Sequence, residues 1–155
     1  MKGSRAALLP SWSVLPLRLV IGYGFIAHGY AKVMNGPQQF IAALNALRVP
    51  APYIMGWLTI IFELLGGTAI LAGAFVTLAS IPLAIILLVA MFTVHLPYGF
   101  SSIKLRAVTA AGPQFGPPGY ETDLLYLACL ATLVISGPGP LAVDKRVSQR
   151  IDDRA

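Results

Sequence analysis

The sequence predicts an all-α integral membrane protein, a four-helix bundle with a short interfacial helix between its first two spans. Hydrophobic residues make up 57% of the chain and charged residues only 11%, whereas soluble domains carry about 25% charged residues. Between Arg48 and Lys104 the only formally charged residue is Glu63. A water-soluble globule could not cover its surface with such a sequence, so the soluble class is excluded.

Four apolar stretches separated by turn-forming residues predict the spans of a single transmembrane domain over residues 1–155. The predicted bounds are residues 13–34, 53–73, 75–96 and 121–136. The Asn-Gly-Pro sequence at 35–37 ends the first span, and a tight turn at Gly73 joins the second to the third. The segment before the last span is rich in glycine and proline and is expected to be a packed loop.

The segment between the first two spans has apolar residues at helical spacing but is too short to cross a bilayer. It covers residues 38–50, and the apolar positions are Phe40, Ile41, Leu44 and Leu47. A transmembrane helix needs about 20 residues. Two interpretations stay open, an amphipathic helix lying at the membrane interface and a loop helix packed on the bundle.

The distribution of basic residues predicts that both termini are cytoplasmic. The two tails carry six basic residues, Lys2, Arg5, Lys145, Arg146, Arg150 and Arg154, and the two opposite loops carry four, Lys32, Arg48, Lys104 and Arg106. Cytoplasmic segments of membrane proteins are enriched in lysine and arginine. The net charge of +5 therefore fits membrane flanks. No basic stripe is present, and no nucleic-acid partner is expected.

Ionisable residues of the first three spans converge on one half of the predicted bundle. At about 1.5 Å per residue, His28, Lys32, Glu63 and His95 all lie toward the side of the two loops. We expect the two histidines and Glu63 to surround one cavity, with Lys32 at its rim. Glu63 and His28 are the candidate catalytic residues, exchanging protons, and all four are candidate ligand-binding residues, because an ionisable residue within a span indicates a functional site. The alternative is a structural polar network between helices.

The remaining polar and glycine positions have simpler interpretations. Arg18 is expected to extend to lipid phosphate, and Glu121 and Asp123 to occupy the favourable first turn of the last span. Gly66 and Gly67 share a helical face with Glu63 and are expected to face another helix.

The sequence contains few motifs that indicate a redox or metal cofactor. The single cysteine forms no dithiol pair, and no metal site is predicted. A quinone carbonyl is a suitable ligand for His28. A haem or a metal ion held by His28 and His95, with Glu63 as a further ligand, is disfavoured because the two histidines lie at unequal depths.

Several motifs resemble the DoxX family of small bacterial membrane proteins, which is similar to the DoxD subunit of thiosulfate:quinone oxidoreductase. They are R-L-x-x-G-x-x-F-x-x-H-G-x-x-K from Arg18 to Lys32, E-L-L-G-G from Glu63 to Gly67, His95 at the end of the third span, Tyr120-Glu121, and Gly137-Pro138-Gly139. The resemblance covers about residues 14–145.

The resemblance implies a multi-pass four-helix bundle in the bacterial inner membrane with a link to quinone-coupled redox chemistry. The implied partners are the lipid bilayer, a quinone and a redox partner protein, and the glycine faces are compatible with a homo-oligomer. A different class of function also stays open: a non-enzymatic membrane subunit, or a lipid- or small-molecule-binding protein, in which the polar cluster is structural.

Overall fold

The structure, a computed structural model, describes residues 12–144 and is mainly helical. Its α-helices are α1 (Val14–Met34), α2 (Pro37–Ala46), α3 (Pro52–Ala72), α4 (Val76–Ala90) and α5 (Glu121–Ser136). The bounds of α1, α3 and α5 agree with the predicted spans to within one residue. Hydropathy and the turn residues were therefore sufficient to locate these helices.

Three helical segments are long and apolar enough to cross a membrane, Val14–Met34, Pro52–Ala72 and Val76–Tyr98. The predicted fourth span corresponds to α5, which has only 16 residues. A helix of this length extends over about 24 Å at 1.5 Å per residue, less than the hydrocarbon core of about 30 Å. The structure therefore supports three spans by length and composition.

The third span changes its helical type before it ends. After Ala90 the chain forms a π-helical turn, Met91–His95, and then a 3₁₀ turn, Leu96–Tyr98. The sequence predicts a span to residue 96 with a kink expected only at Pro82, and no change of helical type is predicted near its end. A π turn changes the direction of the side chains that follow it and is common at functional sites. Here it sets the position of His95.

The four long helices pack in a ring in which α1 contacts α3 and α5, and α4 contacts the same two helices. The most extensive contact joins α1 to α3. A Cβ atom at Gly22 would lie 2.9 Å from the Gly67 carbonyl oxygen, and one at Gly67 would lie 2.8 Å from the Gly22 oxygen. These glycines therefore let the two backbones touch.

The second glycine on the Glu63 face also packs against a helix. Gly66 lies against the Leu83 side chain of α4, so both Gly66 and Gly67 face other helices, as predicted. Apolar side chains fill the centre of the ring, namely Val14, Ile21, Phe25, Ile70, Val76, Leu83, Leu87, Leu130 and Leu133.

The short helix α2 rests on the start of α3. A Cβ atom at Gly56 would lie 2.7 Å from Ile41 of α2, which shows how closely the two helices approach. No residue of α2 is fully buried. This packing agrees with the loop-helix interpretation of the segment.

A small β-hairpin corrects the all-α prediction. The strands β1 (Leu105–Thr109) and β2 (Gly112–Phe115) pair antiparallel within the segment that was expected to be a loop. Gly112 has a φ of 113°, a conformation that glycine allows at the turn. Periodicity did not predict the strands because they are short and irregularly paired.

Candidate functional site

An ion pair between α1 and α3 is the central polar contact of the bundle. Lys32 Nζ donates hydrogen bonds to Glu63 Oε1 at 2.7 Å and to Oε2 at 2.6 Å. Glu63 is only 4% exposed. Gly29 makes the approach possible, because a side chain there would meet Glu63 Cβ at 3.1 Å. The buried carboxylate therefore has the partner that its burial requires.

The Lys32 ammonium has a second contact, with α2. Its Nζ lies 4.9 Å from the centroid of the Phe40 ring, a cation–π geometry. Phe40 was noticed in the sequence only as an apolar position of a short helix. Its contact with Lys32 could not be predicted from the sequence, because Phe40 lies on α2 and Lys32 on α1.

A cavity of about 570 Å³ adjoins this ion pair between α2, α3 and α4. Its walls are almost entirely apolar and include Phe40, Leu44, Leu58, Phe62, Ile86 and Val94. Lys32, Glu63 and Arg48 supply the charged groups. Pockets of this volume, mostly apolar with a few polar groups, are typical of small-molecule sites.

The cavity opens sideways onto the surface of the helices. Ile85 and Val89 of α4 line the cavity and are also exposed. The opening therefore lies on an exposed apolar surface of the helices. No residue of the segment 97–120 lines it, so the long loop does not cover the cavity.

The two histidines lie outside this cavity, in a second polar cluster. His95 Nδ1 lies 2.5 Å from Asp123 Oδ2, which joins the π turn to the first turn of α5. The His28 ring meets the edge of the Tyr126 ring, with centroids 6.3 Å apart. Of the residues expected to surround one cavity, Lys32 pairs with Glu63 and His95 pairs with Asp123, and His28 belongs to neither pair but lies against Tyr126.

Asp123 and Tyr126 are the members of the second cluster that sequence reasoning did not assign to a site. Asp123 is 5% exposed and its carboxylate is held by His95. Its position in the first turn of a helix had suggested only a favourable interaction with the helix dipole. The signal that could have located it is its charge, because α5 has no other charged residue after Glu121.

Arg18 is buried and does not extend to lipid phosphate, contrary to expectation. It is only 3% exposed, and its Nη1 donates to the carbonyl oxygens of Pro138 at 2.5 Å and Pro140 at 3.1 Å. The chain that follows α5 folds back across the end of the bundle. Those carbonyl groups replace the lipid headgroup as the partners of the guanidinium.

Comparison with known proteins identifies the family. A model of the DoxX family matches residues 13–96. An uncharacterized membrane protein of Mycobacterium tuberculosis is 30% identical over 158 residues, 91% of each chain. An uncharacterized protein of Haemophilus influenzae is 29% identical over 132 residues, 84% of this chain and 87% of its own. No solved structure gives a significant match. The resemblance seen in the motifs is confirmed: this membrane protein belongs to the DoxX family.

Proposed function

We propose that the protein binds a quinone-class molecule in the cavity beside Lys32 and Glu63, as a component of a quinone-linked oxidoreductase system in the bacterial inner membrane. The observation that carries this proposal is an apolar cavity of about 570 Å³ with the Lys32–Glu63 pair and Arg48 in its wall. A quinone has an apolar ring and tail and two carbonyl oxygens. An entrance on the lipid-facing surface suits a molecule that dissolves in the bilayer.

The ion pair provides the chemistry that quinone reduction needs. Conversion of a quinone to a quinol consumes two electrons and two protons. Lys32 is placed to donate a hydrogen bond to a carbonyl oxygen, and Glu63 to give or take a proton at the same edge of the cavity. In this proposal the electrons come from a separate redox partner protein. This chain contributes binding and proton exchange.

His28 and His95 are assigned to proton exchange with the side of the loops. His28 precedes Lys32 by one helical turn, and His95 follows the cavity residue Val94. His28 therefore lies one turn deeper in α1 than Lys32, and His95 lies near the loop-side end of the third span. Their positions support a role beside the ligand site, in place of the direct ligand contact expected from the sequence.

The topology included in the proposal has four crossings and cytoplasmic termini. The charge difference between tails and loops supports it. In this topology α5 crosses as a short fourth span and α2 lies near the membrane surface. The glycine faces do not need a second copy of the chain to cover them, because they are buried against helices of the same chain. These glycines are Gly22, Gly29, Gly66 and Gly67.

A second function is favoured by the geometry of the ion pair itself. Both oxygens of Glu63 already accept hydrogen bonds from Lys32 at 2.6–2.7 Å. Such a pair is satisfied without a ligand and can serve to hold α1 against α3. On this reading the protein is a non-enzymatic subunit, or binds a lipid or another small molecule in the cavity.

Thermal unfolding of the protein in lipid nanodiscs, with and without decylubiquinone, tests the proposal. A ligand present at 100 times its Kd stabilises the folded state by about 2.7 kcal/mol. Ala90 lines the cavity, so Ala90→Phe should fill it and abolish the shift. The matched control is Ala131→Phe at an exposed position of α5, which should keep the shift.

Glu63→Gln separates the two functions. If Glu63 exchanges protons, the variant stays folded and binds the quinone, but quinone reduction by a membrane preparation containing the redox partner is lost. If the pair is structural, the variant unfolds at lower temperature and reduction falls only with stability. The absence of a quinone-dependent shift in the wild-type protein would exclude the quinone proposal and leave the second function.

A further inference from the structure

The β-hairpin carries an apolar face that no other part of the described chain covers. All five residues of β1 are exposed, and no residue of either strand is fully buried. A two-stranded hairpin is at best marginally stable in water. Its apolar side chains therefore require an environment that the helices do not supply.

A bulge in β1 sorts the hairpin residues into two faces. The cross-strand pairs are Leu105 with Phe115, Ala107 with Gln114, Val108 with Pro113 and Thr109 with Gly112, and the register shifts between Leu105 and Ala107. Directly opposed residues of antiparallel strands share a face, and successive residues alternate. The apolar face therefore consists of Leu105, Val108, Pro113 and Phe115. The opposite face consists of Ala107, Thr109, Gly112 and Gln114.

The bulge is what makes the hairpin amphipathic. With regular alternation along β1, Leu105 and Val108 would point to opposite faces. The additional residue at Arg106 brings them to the same face. Leu105 is 59% exposed, Val108 74% and Phe115 60%, so this face is open along its length.

Basic residues accompany the apolar face, and acidic residues do not. Lys104 and Arg106 lie at the start of β1, and residues 97–120 contain no aspartate or glutamate. Lys104 Nζ lies 6.0 Å from the ring of Tyr98, an aromatic residue at the end of the third span. Aromatic and basic side chains together are typical of the headgroup region of a bilayer.

The base of the hairpin is fixed at the end of the bundle. Tyr120 N donates to the Gly99 carbonyl at 3.1 Å, and Glu121 N donates to the Phe100 carbonyl at 2.9 Å. These bonds join the end of the third span to the start of α5. The hairpin is therefore held at the level where a transmembrane helix leaves the membrane.

We propose that the hairpin docks on the bilayer, with Leu105, Val108 and Phe115 inserted among the lipids and with Lys104 and Arg106 against the phosphates of anionic phospholipids. The lipid surface is favoured over a protein partner because the hairpin continues directly from a span and is basic. An amphipathic element with these features binds at the interface through apolar area and charge together.

The experiment places a single tryptophan on each face of the hairpin. In a Trp12→Phe, Trp57→Phe background, Phe115→Trp reports the apolar face and Gln114→Trp the opposite face. The proteins are studied in nanodiscs of phosphatidylcholine with phosphatidylglycerol. We expect acrylamide quenching at position 115 to be about threefold weaker than at 114, with strong quenching at 115 by brominated phospholipid. Val108→Trp and Thr109→Trp, made as separate proteins, form a second pair, in which position 108 reports the apolar face and position 109 the opposite face.

Each other outcome overturns a defined part of the proposal. Equal acrylamide quenching on both faces would place the apolar face in water. Protection from acrylamide without quenching by brominated lipid would indicate a protein surface, and a dependence on protein concentration would identify a second copy of the chain. If Lys104→Gln with Arg106→Gln leaves the brominated-lipid signal unchanged in anionic nanodiscs, the preference for anionic lipid is wrong.

Discussion

Lys32 on α1 and Glu63 on α3 are joined through both carboxylate oxygens, at Nζ–Oε distances of 2.7 and 2.6 Å. Lys32→Met would leave a buried carboxylate without its cation. Breaking a buried pair in this way costs about 3–5 kcal/mol. We expect the variant to unfold at a clearly lower temperature in detergent, and Lys32→Met with Glu63→Gln to recover part of the loss.

Lys104→Met is the control for this cycle, because Lys104 is a loop residue with only a 6.0 Å cation–π contact. Its effect should stay below about 1 kcal/mol. If Lys32→Met and the double variant Lys32→Met, Glu63→Gln lose the same stability, Lys32 and Glu63 are not coupled.

Gly67→Ala tests the close contact of α1 with α3. A Cβ atom there would lie 2.8 Å from the Gly22 carbonyl oxygen and 2.9 Å from the Ile26 nitrogen, and neither backbone atom can move freely. The strain should lower stability by about 1–3 kcal/mol. Thr68→Ala, at the adjacent exposed position, should change the unfolding temperature little. Unchanged stability of Gly67→Ala would show that the helices can separate without cost.

Arg18→Leu should release the chain that follows α5. The substitution leaves the half-buried carbonyl groups of Pro138 and Pro140 without their donor, and an unsatisfied buried group would cost at most about 1–3 kcal/mol. We expect faster proteolysis and hydrogen exchange in residues 137–144. Leu19→Met, on the exposed side of α1, is the control and should leave both rates unchanged. Protection of this segment in Arg18→Leu would mean that other contacts hold it.

Ala51→Gly should stabilise the protein. Ala51 has a φ of 46° in the connection between α2 and α3, and a left-handed conformation costs a residue with a Cβ about 1–2 kcal/mol. Glycine removes this strain but loses more backbone entropy on folding, so the net gain should be about 0.5–1 kcal/mol. Ala43→Gly, in the middle of α2, should destabilise by about 1 kcal/mol. A lower unfolding temperature for both variants would contradict the strain at Ala51.

The sequence by itself determined the class of the protein, its family and the bounds of most helices. These properties depend on local composition, because a membrane helix must be apolar over its length and Gly and Pro interrupt it. The faces of Gly66 and Gly67 were also predictable, since helical periodicity places them beside Glu63. The hairpin was missed because the bulge at Arg106 removes the regular alternation that indicates a strand.

Only the tertiary structure decided which residue pairs with Glu63. Counting residues along a helix gives depth, but neither the rotation of a helix nor its neighbours. In an α-helix the Cα–Cβ bonds tilt toward the N-terminus. Because α1 and α3 are antiparallel, this tilt turns the Lys32 side chain toward the middle of the bundle and the Glu63 side chain toward Lys32. The long lysine side chain covers the remaining distance. His95 instead pairs with Asp123, because the π turn brings it to α5. Arg18 likewise found its partners in a segment 120 residues away, a distance along the chain that no local pattern can bridge.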